Sequence, residues 1–599
     1  MSKDKKSIFS PGTAFKNLVK KPETVRYPAE TKDAAKRYRG FHINDLEECI
    51  GCGTCQDVCV NDAINMVELL DKPKVEGEKN EKPQIDYGRC CWCGLCVDAC
   101  TTGSLEMSRD YSYQDIDPDN FIIQPDEEND INEVEAPLGY LRDDNSDLLD
   151  LERVNMEMLE PEERVDSFVE IVEGFSKEKA EKEASRCVEC EICTDTCPAN
   201  MNIPQYIRGI FDEDLDESLQ QIYEDNPLPE VCGRVCTHKC EGVCALTHRG
   251  EAISIRWLKR YAVDNVDSAD YKKVLGTEKI EQNDKEIAIV GAGPAGLSAA
   301  HYLSVMGYQI TVYEDKEKAG GMMRYGIPEY RLPYDALDKD INYIKSLGVE
   351  FIFNTRVGED ITLDELHQKY DSVFAATGLH NGRSTRVPGT ENNNVYQAVD
   401  LLADLARGKE VPTTESIVVI GGGNVAMDIA RSMARIQKQR YGKVDVTVTS
   451  LETEDVLPAD EEEVEEAREE GVVFEPGRGP KEIEVNEDGS IAHVCTNCCV
   501  SVFDEEMNFN PTFDDNDIQN LECDMVIEAI GQAGDNSYID DVVDVEYEGP
   551  RIKINEYSQT SVDWLFVGGD IAQGPDVINA IATGHDAAVG IDKYLNDEL

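Results

Sequence analysis

Two stretches of the chain share one pattern of apolar and polar residues. Each begins with a short apolar run, continues through a glycine-rich turn and ends in a helical segment: EIAIVGAGPAGLSAAHYLSVMGYQITVYE from residue 286 and SIVVIGGGNVAMDIARSMAR from residue 416. This alternation of strand and helix predicts α/β domains from residue 287 onward. No apolar run approaches roughly 18 residues, so the pattern predicts no transmembrane helix.

The first stretch carries a dinucleotide-binding pattern. Gly291, Gly293 and Gly296 allow a tight turn and a close approach of the backbone to a pyrophosphate at the helix N-terminus. Glu314 follows the next predicted strand and can accept hydrogen bonds from adenosine ribose hydroxyls. The late stretch WLFVGGDIAQGPDVINAIATGHDAAVGID (564–592) resembles FAD enzymes with two dinucleotide domains, in which the position of Asp570 meets the phosphoribityl chain. That resemblance favours FAD over NAD at the first fold.

The second stretch predicts a nicotinamide-binding fold. It carries Gly421, Gly423 and Ala426 as GxGxxA, and its following strand, VDVTVTSLETED, contains Glu452. A carboxylate there repels the 2′-phosphate of NADP and suits the 2′-hydroxyl of NAD. The pattern therefore favours NADH, with the alternative that Glu452 is one more acid on an acidic surface.

Nine of the 21 cysteines lie between residues 49 and 100, and eight of them form two C-x2-C-x2-C-x3-C runs. This is the bacterial ferredoxin spacing for [4Fe–4S] clusters, in which the fourth cysteine of each run reaches the other cluster. The predicted ligand sets are Cys49, Cys52, Cys55 and Cys100 (the Cys49 set), and Cys90, Cys93, Cys96 and Cys59 (the Cys90 set). Zinc is the alternative. Val60 and Thr101 stand where a proline usually follows the fourth cysteine. Cys91 belongs to neither ligand set.

The run VCGRVCTHKCEGVC (231–244) spaces its cysteines evenly by four. One continuous helix would separate Cys232 from Cys244 by ~18 Å, more than one centre spans. Either the chain turns, with Gly233 and Gly242 as candidates, or the four thiols serve more than one centre. The last block, Cys495, Cys498, Cys499 and Cys523, is interpreted as structural thiols, with zinc or an extra cluster as the alternative.

The net charge of −63, from 58 basic and 121 acidic residues, argues against nucleic acid as a partner. A solubilising acidic surface and salt adaptation both fit it. The first forty residues differ, with 11 Lys/Arg against 4 Asp/Glu, and predict a basic arm for a partner or membrane surface, or a disordered tail. MSKDKKSIFSPG lacks an apolar signal region, so we expect a reducing cytoplasm and metal or redox work for the cysteines.

The N-terminal part of the sequence resembles a known electron-transfer subunit. RYPAE (26–30), RYRGFH (37–42) and KPQIDYGRCCWCGLCVDAC (82–100) are similar to the two-cluster ferredoxin-like subunit of respiratory complex I, over about residues 1–110. The segment before RYP lies against a partner subunit near the membrane surface in that family. The resemblance therefore implies docking, with peripheral membrane contact, for the basic arm.

The rest of the chain, about 155–599, resembles a second family. The motifs are CVECEICTDTCP (187–198), NPLPEVCGRVC (226–236), GAGPAGL (291–297), GGMMRYGIPEYRLP (320–333), FAATG (374–378), GGGNVAMDIAR (421–431), LPADEEEVEEAREEGV (457–472) and AIGQ (529–532). They are similar to the glutamate synthase small subunit and its relatives, including the flavoprotein subunit of NADH-dependent ferredoxin:NADP oxidoreductase and the N-terminal part of dihydropyrimidine dehydrogenase. The family combines a helical two-cluster domain with FAD and an inserted NAD(P)-binding domain.

This resemblance implies further site residues. Further cofactor contacts come from Pro294, Ala295, Gly321, Thr377, Gly378, Gly569 and Asn424. The resemblance assigns Cys187, Cys190, Cys193 and Cys244 (the Cys187 set) as ligands of one cluster, and Cys197, Cys236 and Cys240 as ligands of the other. Several relatives complete the second cluster with a Gln or Glu where this chain has Lys259. An ammonium cannot ligate iron, so Cys232 is the predicted eighth ligand (the Cys232 set); one cluster plus structural thiols is the alternative.

NADPH-using members end the strand after the second fold in Tyr-Arg-Arg. This chain has Ser450, Leu451 and Glu452 there, which supports NADH. RYGIPEYRLP is expected near the flavin, without an assigned role.

The predicted fold class is multidomain α+β and α/β, with helices expected over 155–184. The predicted domains are a basic arm (1–40), a ferredoxin module (41–112), an acidic linker (113–154), a helical two-cluster domain (155–280), an FAD domain (281–395 and 533–599) and a NAD(H)-binding insertion (396–532).

The predicted function is an FAD and iron–sulfur oxidoreductase subunit that moves electrons between NAD(H) and ferredoxin or a partner enzyme through four [4Fe–4S] clusters. Electron bifurcation is left open, since a related flavoprotein subunit performs it. The alternatives are a glutamate synthase small subunit and an electron-wiring scaffold with a passive flavin.

Overall fold

The computed structural model describes residue 15 and residues 17–27, 29–30, 32–69, 75–125 and 137–599. It consists of two compact units, Met1–Asp150 and Leu151–Leu599. Residues 1–14, 16, 28 and 31 of the predicted basic arm and residues 126–136 of the predicted acidic linker lie outside the described residues. Of the linker's described part, Tyr140 packs on the first unit and its hydroxyl donates to Asp98 at 3.0 Å.

The first unit places short strands and single helical turns around its cysteines. Its elements are β1 (His42–Asn44), α1 (Thr54–Asp57), β2 (Ile64–Glu68), β3 (Glu81–Asp86), α2 (Leu95–Asp98), β4 (Leu105–Met107) and β5 (Ile122–Ile123). Strand β1 pairs antiparallel with β4, and β3 lies between β2 and β5 in a second antiparallel sheet. Phe41, Tyr87 and Met107 pack with several of the cysteines in the core.

The second unit begins with a helical region. Its helices are α3 (Pro161–Arg164), α4 (Lys177–Ala184), α5 (Ile192–Thr196), α6 (Ile203–Phe211), α7 (Leu215–Asp225), α8 (Pro229–Val235), α9 (Lys239–Gly242), α10 (Ile255–Asp264) and α11 (Tyr271–Val274). The expectation of helix throughout 155–184 was too broad, because only α3 and α4 are helical there. The cysteine run turns between α8 and α9 at His238, whose φ is 39°, and not at Gly233 or Gly242.

A parallel sheet in the order β22–β9–β6–β7–β8 forms the first α/β fold. Its elements are β6 (Glu286–Val290), α12 (Pro294–Val305), β7 (Gln309–Tyr313), α13 (Met322–Tyr325), α14 (Tyr334–Ser346), β8 (Glu350–Ile352), α15 (Leu363–Lys369), β9 (Ser372–Ala375), β10 (Asn381–Gly382), and, after the insertion, α19 (Ser537–Asp540), β20 (Tyr547–Glu548), β21 (Arg551–Ile552), β22 (Leu565–Val567) and α20 (Val577–Leu595). Strands β9 and β22 are buried along their length, as expected of a parallel sheet covered on both faces.

The inserted fold has its own parallel sheet, in the order β11–β18–β12–β13–β14. Its elements are β11 (Val395–Gln397), α16 (Ala398–Ala406), β12 (Ile417–Ile420), α17 (Asn424–Tyr441), β13 (Val446–Thr449), α18 (Glu461–Glu469), β14 (Val473–Glu475), β15 (Arg478–Val485), β16 (Ile491–Phe503), β17 (Phe509–Glu522), β18 (Met525–Glu528) and β19 (Gln532–Ala533). Strands β15–β17 form a separate antiparallel sheet. Among the described residues, no helix is long and apolar enough to cross a membrane.

Candidate functional site

A cavity of about 650 Å³ opens in the second unit at the carboxyl ends of the first fold's strands. Ten residues predicted to contact FAD line it: Gly291, Gly293, Pro294, Ala295, Glu314, Gly321, Thr377, Gly378, Gly569 and Asp570. Gly296 lies outside the lining. Parallel strands bring the loops after β6, β7, β9 and β22 to one edge of the sheet, which is where ligands of such sheets bind.

The turn after β6 fits a pyrophosphate. Gly291 has a φ of 101°, and a Cβ on it would lie 2.5 Å from the carbonyl oxygen of Ala376, so the backbone approaches closer than a side chain allows. Helix α12 begins after Gly293 without a side-chain cap, which leaves its first N–H groups free for an anion. The residues present therefore fit the diphosphate of a dinucleotide.

Glu314 is held at the end of β7 as an acceptor. The backbone N–H groups of Ala292 and Lys316 donate to its carboxylate at 2.8 and 3.0 Å. Burial, with a contribution from Asp315, raises the pKa of Glu314 to about 7. Burial likewise raises the pKa of Asp570 to about 6. Both carboxylates line the cavity, and their contacts with the cofactor remain a prediction.

The thiols of the first unit come together across the two runs. Electrostatic interactions link Cys49 and Cys55 to Cys52 and Cys100, and Cys55 also to Cys96 of the other set. They also link Cys90 and Cys96 to Cys93 and Cys59, the other members of the Cys90 set. The crossover grouping that the spacing predicts is therefore compatible with the fold, and Cys91 is exposed.

The thiols of the helical region also form two groups. Cys187 interacts with Cys190 and Cys244, and Cys193 interacts with these three and also with Cys240 of the second group. In the second group, Cys236 interacts with Cys197, Cys240 and Cys232, and the Lys259 ammonium interacts with all four. Burial raises the pKa of Cys187 to about 12, so its thiol favours the neutral form until a cationic centre binds, whereas the hydrogen bond with Cys232 lowers the pKa of Cys236 to about 6. Across the described residues, no three His, Cys, Asp or Glu side chains are placed to hold a single metal ion.

The last cysteine block does not converge. Cys495, Cys498 and Cys499 lie along β16, and Cys523 is buried in the core of the inserted fold with Ile483, Val494 and Val526. This placement favours the structural interpretation.

Three protein-family models match the chain. Residues 48–104 match a 4Fe-4S dicluster domain, and residues 164–271 match the dihydropyrimidine dehydrogenase domain II, 4Fe-4S cluster family. Residues 285–586, half of the chain, match the pyridine nucleotide-disulphide oxidoreductases. The chain belongs to the pyridine nucleotide-disulphide oxidoreductase family. The resemblance and fold class predicted from the motifs are confirmed: iron–sulfur domains precede an FAD and NAD(P) fold.

Three relatives of this oxidoreductase come from different complexes. The β subunit of the NADP(+)-dependent formate dehydrogenase of Moorella thermoacetica is 38% identical over 67% of this chain. The small chain of the NADPH glutamate synthase of Escherichia coli K12 is 32% identical, covering 75% of this chain and 98% of its own. The NAD-dependent dihydropyrimidine dehydrogenase subunit PreT of E. coli O157:H7 is 34% identical, covering 71% and 97%. The chain spans about 60% of the formate dehydrogenase subunit's length.

The oxidoreductase's inserted fold places Glu452 beside its glycine-rich turn. A Cβ on Gly422 would lie 3.2 Å from the Glu452 carboxylate. Helix α17 begins after Gly423 without a side-chain cap, and Ala426 is buried in its first turn. The Asn424 side chain lines the cavity but bonds Asp460 at 2.8 and 2.9 Å, so it anchors the segment before α18.

Sequence reasoning missed an ion pair that joins the two folds across the cavity. Arg331, in the YGIPEYRLP segment, bonds both carboxylate oxygens of Asp428 at 2.8 and 2.9 Å and contacts Glu463 at 2.7 Å. The neighbouring Tyr330 ring lies 3.7 Å from the Arg435 guanidinium. Asp428 sits one helical turn after Asn424 on α17, and this spacing is the signal that could have found it.

Proposed function

We propose that this chain is an NADH-dependent oxidoreductase subunit that passes electrons to ferredoxin or a partner enzyme through FAD and four [4Fe–4S] clusters. One observation carries the proposal. The cavity that meets the FAD-binding loops is also lined by Asn424 and Asp428 of the inserted fold, and by Val235 and Thr237 on either side of Cys236. This lining supports a common cavity for the nicotinamide and flavin sites, with the cluster site next to it.

The residues around this space have separate tasks. Gly291 and the start of α12 bind the cofactor's diphosphate, and Glu314 orients its ribose. The Arg331–Asp428 pair fixes the inserted fold against the first fold. FAD, when bound, supplies the conversion of a two-electron donor into single-electron steps. Val235 and Thr237 keep the Cys236 thiolate next to the cavity, which shortens the path of electrons from the cavity to the cluster site.

The choice of NADH rests on Glu452. Its carboxylate lies against the glycine-rich turn, where the adenosine ribose of a bound dinucleotide sits. The nearby cation is Arg478, because the N–H of the preceding Gly477 donates to the Glu452 carbonyl oxygen at 2.7 Å. The Arg478 guanidinium, however, is paired with Asp517 at 2.8 Å. A 2′-phosphate would meet an anion there. Two of the three relatives above are named for NADP(H) and the third for NAD.

Steady-state reduction of a dye by the full chain tests the proposal. We expect NADH to be the better donor. Replacing Glu452 with Ala removes charged hydrogen bonds to the ribose, each worth about 1.5–3 kcal/mol, so kcat/KM for NADH should fall about tenfold or more. Asp455→Ala is the matched control, because it removes the same charge from an exposed position on the same segment.

Two outcomes contradict this assignment. Faster reduction with NADPH than with NADH refutes the role of Glu452. FAD-loaded chain that reduces no dye with either nucleotide favours the scaffold alternative with a passive flavin.

A second candidate, the small subunit of a glutamate synthase, is favoured by the near-complete coverage of the E. coli small chain. The extra dicluster domain at 48–104 gives this chain two further cluster sites and favours another acceptor. Glutamate formation from glutamine and 2-oxoglutarate by a co-purifying large subunit would support the second candidate.

A further inference from the structure

We propose that, of the two clusters in the ferredoxin module, the one held by the Cys49 set is reduced first, because hydroxyl donors surround its thiolates. Thr101 is a tuning residue of that cluster. The inference rests on the proposed function, since it requires both clusters of the module to be bound. With the clusters bound, each cysteine sulfur of the two sets is a thiolate that ligates iron.

Cys52 of the Cys49 set has two hydroxyl neighbours. The Oγ1 atoms of Thr54 and Thr101 each lie 3.3 Å from its sulfur. A cluster-bound thiolate carries no hydrogen, so both hydroxyls must be the donors. Thr101 is fully buried, which holds its hydroxyl on the sulfur and keeps water from competing for it.

Cys100 of the same set has two more hydroxyl neighbours, at longer distance. The hydroxyls of Thr102 and Ser104 lie 3.7 Å from its sulfur. Four side-chain hydroxyls therefore face two of the four sulfurs of the Cys49 set.

Cations also lie against the Cys49 set. The buried Lys82 ammonium donates to the carbonyl oxygen of Cys49, and the Arg142 guanidinium donates to that of Cys100 at 3.1 Å. Each cation has an acidic neighbour, Glu78 at 4.0 Å and Asp147 at 3.7 Å, which offsets part of its charge. The hydroxyls thus supply the main difference, and the cations act in the same direction.

The Cys90 set has a different environment. His42 Nε2 lies 3.3 Å from the Cys96 sulfur. The His42 backbone N–H donates to the Tyr87 oxygen at 2.8 Å, so the Tyr87 hydroxyl donates to His42 Nδ1 at 3.1 Å and leaves Nε2–H for the sulfur. The rings of Phe41, Tyr87 and Trp92 pack around this donor. Among the described residues, one neutral side-chain donor therefore reaches the sulfurs of this set.

Backbone N–H groups do not separate the two sets, because they reach sulfurs in both. Reduction adds one negative charge to a cluster, and hydrogen bonds to its sulfurs stabilise that charge and raise the potential. The Cys49 set has more such donors. Its Thr101 stands where ferredoxin runs usually carry proline, and a proline could not donate.

The test is an EPR-monitored redox titration of the full chain with Thr101→Val, which removes the hydroxyl and keeps the shape. At a fixed ambient potential, we expect the ratio of reduced to oxidised Cys49-set cluster to fall about tenfold, which is ~59 mV for one electron. Thr101→Ser should restore it. His42→Leu should lower the potential of the other cluster, so the two variants identify which signal belongs to which set.

In the unaltered chain, the signal that Thr101→Val moves should be the one of higher potential. The inference is overturned if it is the lower one, or if Thr101→Val shifts neither signal at full iron content. Iron analysis of the unaltered chain separates a failure of this inference from a failure of the proposed function. Iron missing from the unaltered chain would contradict the proposed number of clusters and not the order in which they are reduced. If Thr101→Val itself loses iron, Thr54→Val removes the other hydroxyl from the same sulfur, and an unchanged potential in that variant overturns the inference.

Discussion

The two cysteine-rich regions of the molecule surround their thiols differently. In the ferredoxin module, neutral hydroxyls and one histidine reach the sulfurs. In the helical region, the buried Lys259 ammonium interacts with every thiol of the Cys232 set. The comparison teaches that cysteine spacing indicates how many clusters a region can hold, whereas the buried neighbours decide how readily each accepts an electron.

The regions also differ in how their thiols are brought together. In the module, the crossover grouping follows from the spacing within two similar runs. In the helical region, Cys197 follows α5, Cys232 lies within α8 and Cys240 lies within α9. That group forms only because α8 and α9 pack near α5 and α10.

The largest expected effect tests the eighth ligand. Cys232→Ala should lower the iron content of the full chain by about four of about sixteen atoms, because an ammonium at position 259 cannot replace the lost thiolate. Iron and acid-labile sulfide analysis measures this. Cys91→Ala, which removes an exposed and spare thiol, should keep the full content.

An unchanged iron content in Cys232→Ala would falsify the assignment of this ligand. It would also bring the helical region closer to the one-cluster alternative, in which Cys232 is a packing thiol.

Local sequence patterns predicted much of the site. Gly291 and Glu314 stand in loops after strands of one parallel sheet, so recognising those strands was enough to bring them together. Asp570, in a loop of the same sheet, came from the resemblance of the late GGD stretch to FAD enzymes. The Glu452 carboxylate likewise follows β13 directly. The positions of these residues depend on where a strand ends and in which direction the chain runs, and both can be recognised from the sequence.

Contacts between distant segments could not be predicted. Arg331 meets Asp428 because two folds pack together, and Thr101 meets Cys52 across the crossover of the two runs. The turn at His238 was also missed. Glycines attract attention as turn formers, yet here a histidine takes the left-handed conformation, which the surrounding packing imposes.

A smaller effect should follow removal of the Lys259 charge. Lys259→Met keeps the length of the side chain and should lower the potential of the Cys232-set cluster. A charge at about 4 Å is worth at most about 4 kcal/mol at an effective dielectric constant near 20. We expect the reduced fraction at fixed ambient potential to fall about tenfold, which lies within that limit, as measured by EPR-monitored titration.

Lys239→Met is the matched control for Lys259→Met. Lys239 precedes Cys240 in sequence but is exposed, so water screens its charge and the potential should hardly move. Lys259→Arg should retain most of the native potential. Equal shifts in Lys239→Met and Lys259→Met would mean that burial of the charge is not what tunes this cluster.

The smallest expected effect concerns the thiols with no predicted cluster. Cys523 is buried among apolar residues of the inserted fold, and burial raises the pKa of its thiol to about 12, as for an inert packing group. Cys523→Ala should cost about 1 kcal/mol of unfolding free energy through lost packing. Thermal unfolding measures that cost, and iron content and the rate with NADH should stay unchanged. Loss of iron in this variant would contradict the structural interpretation and make the last block a third kind of thiol site.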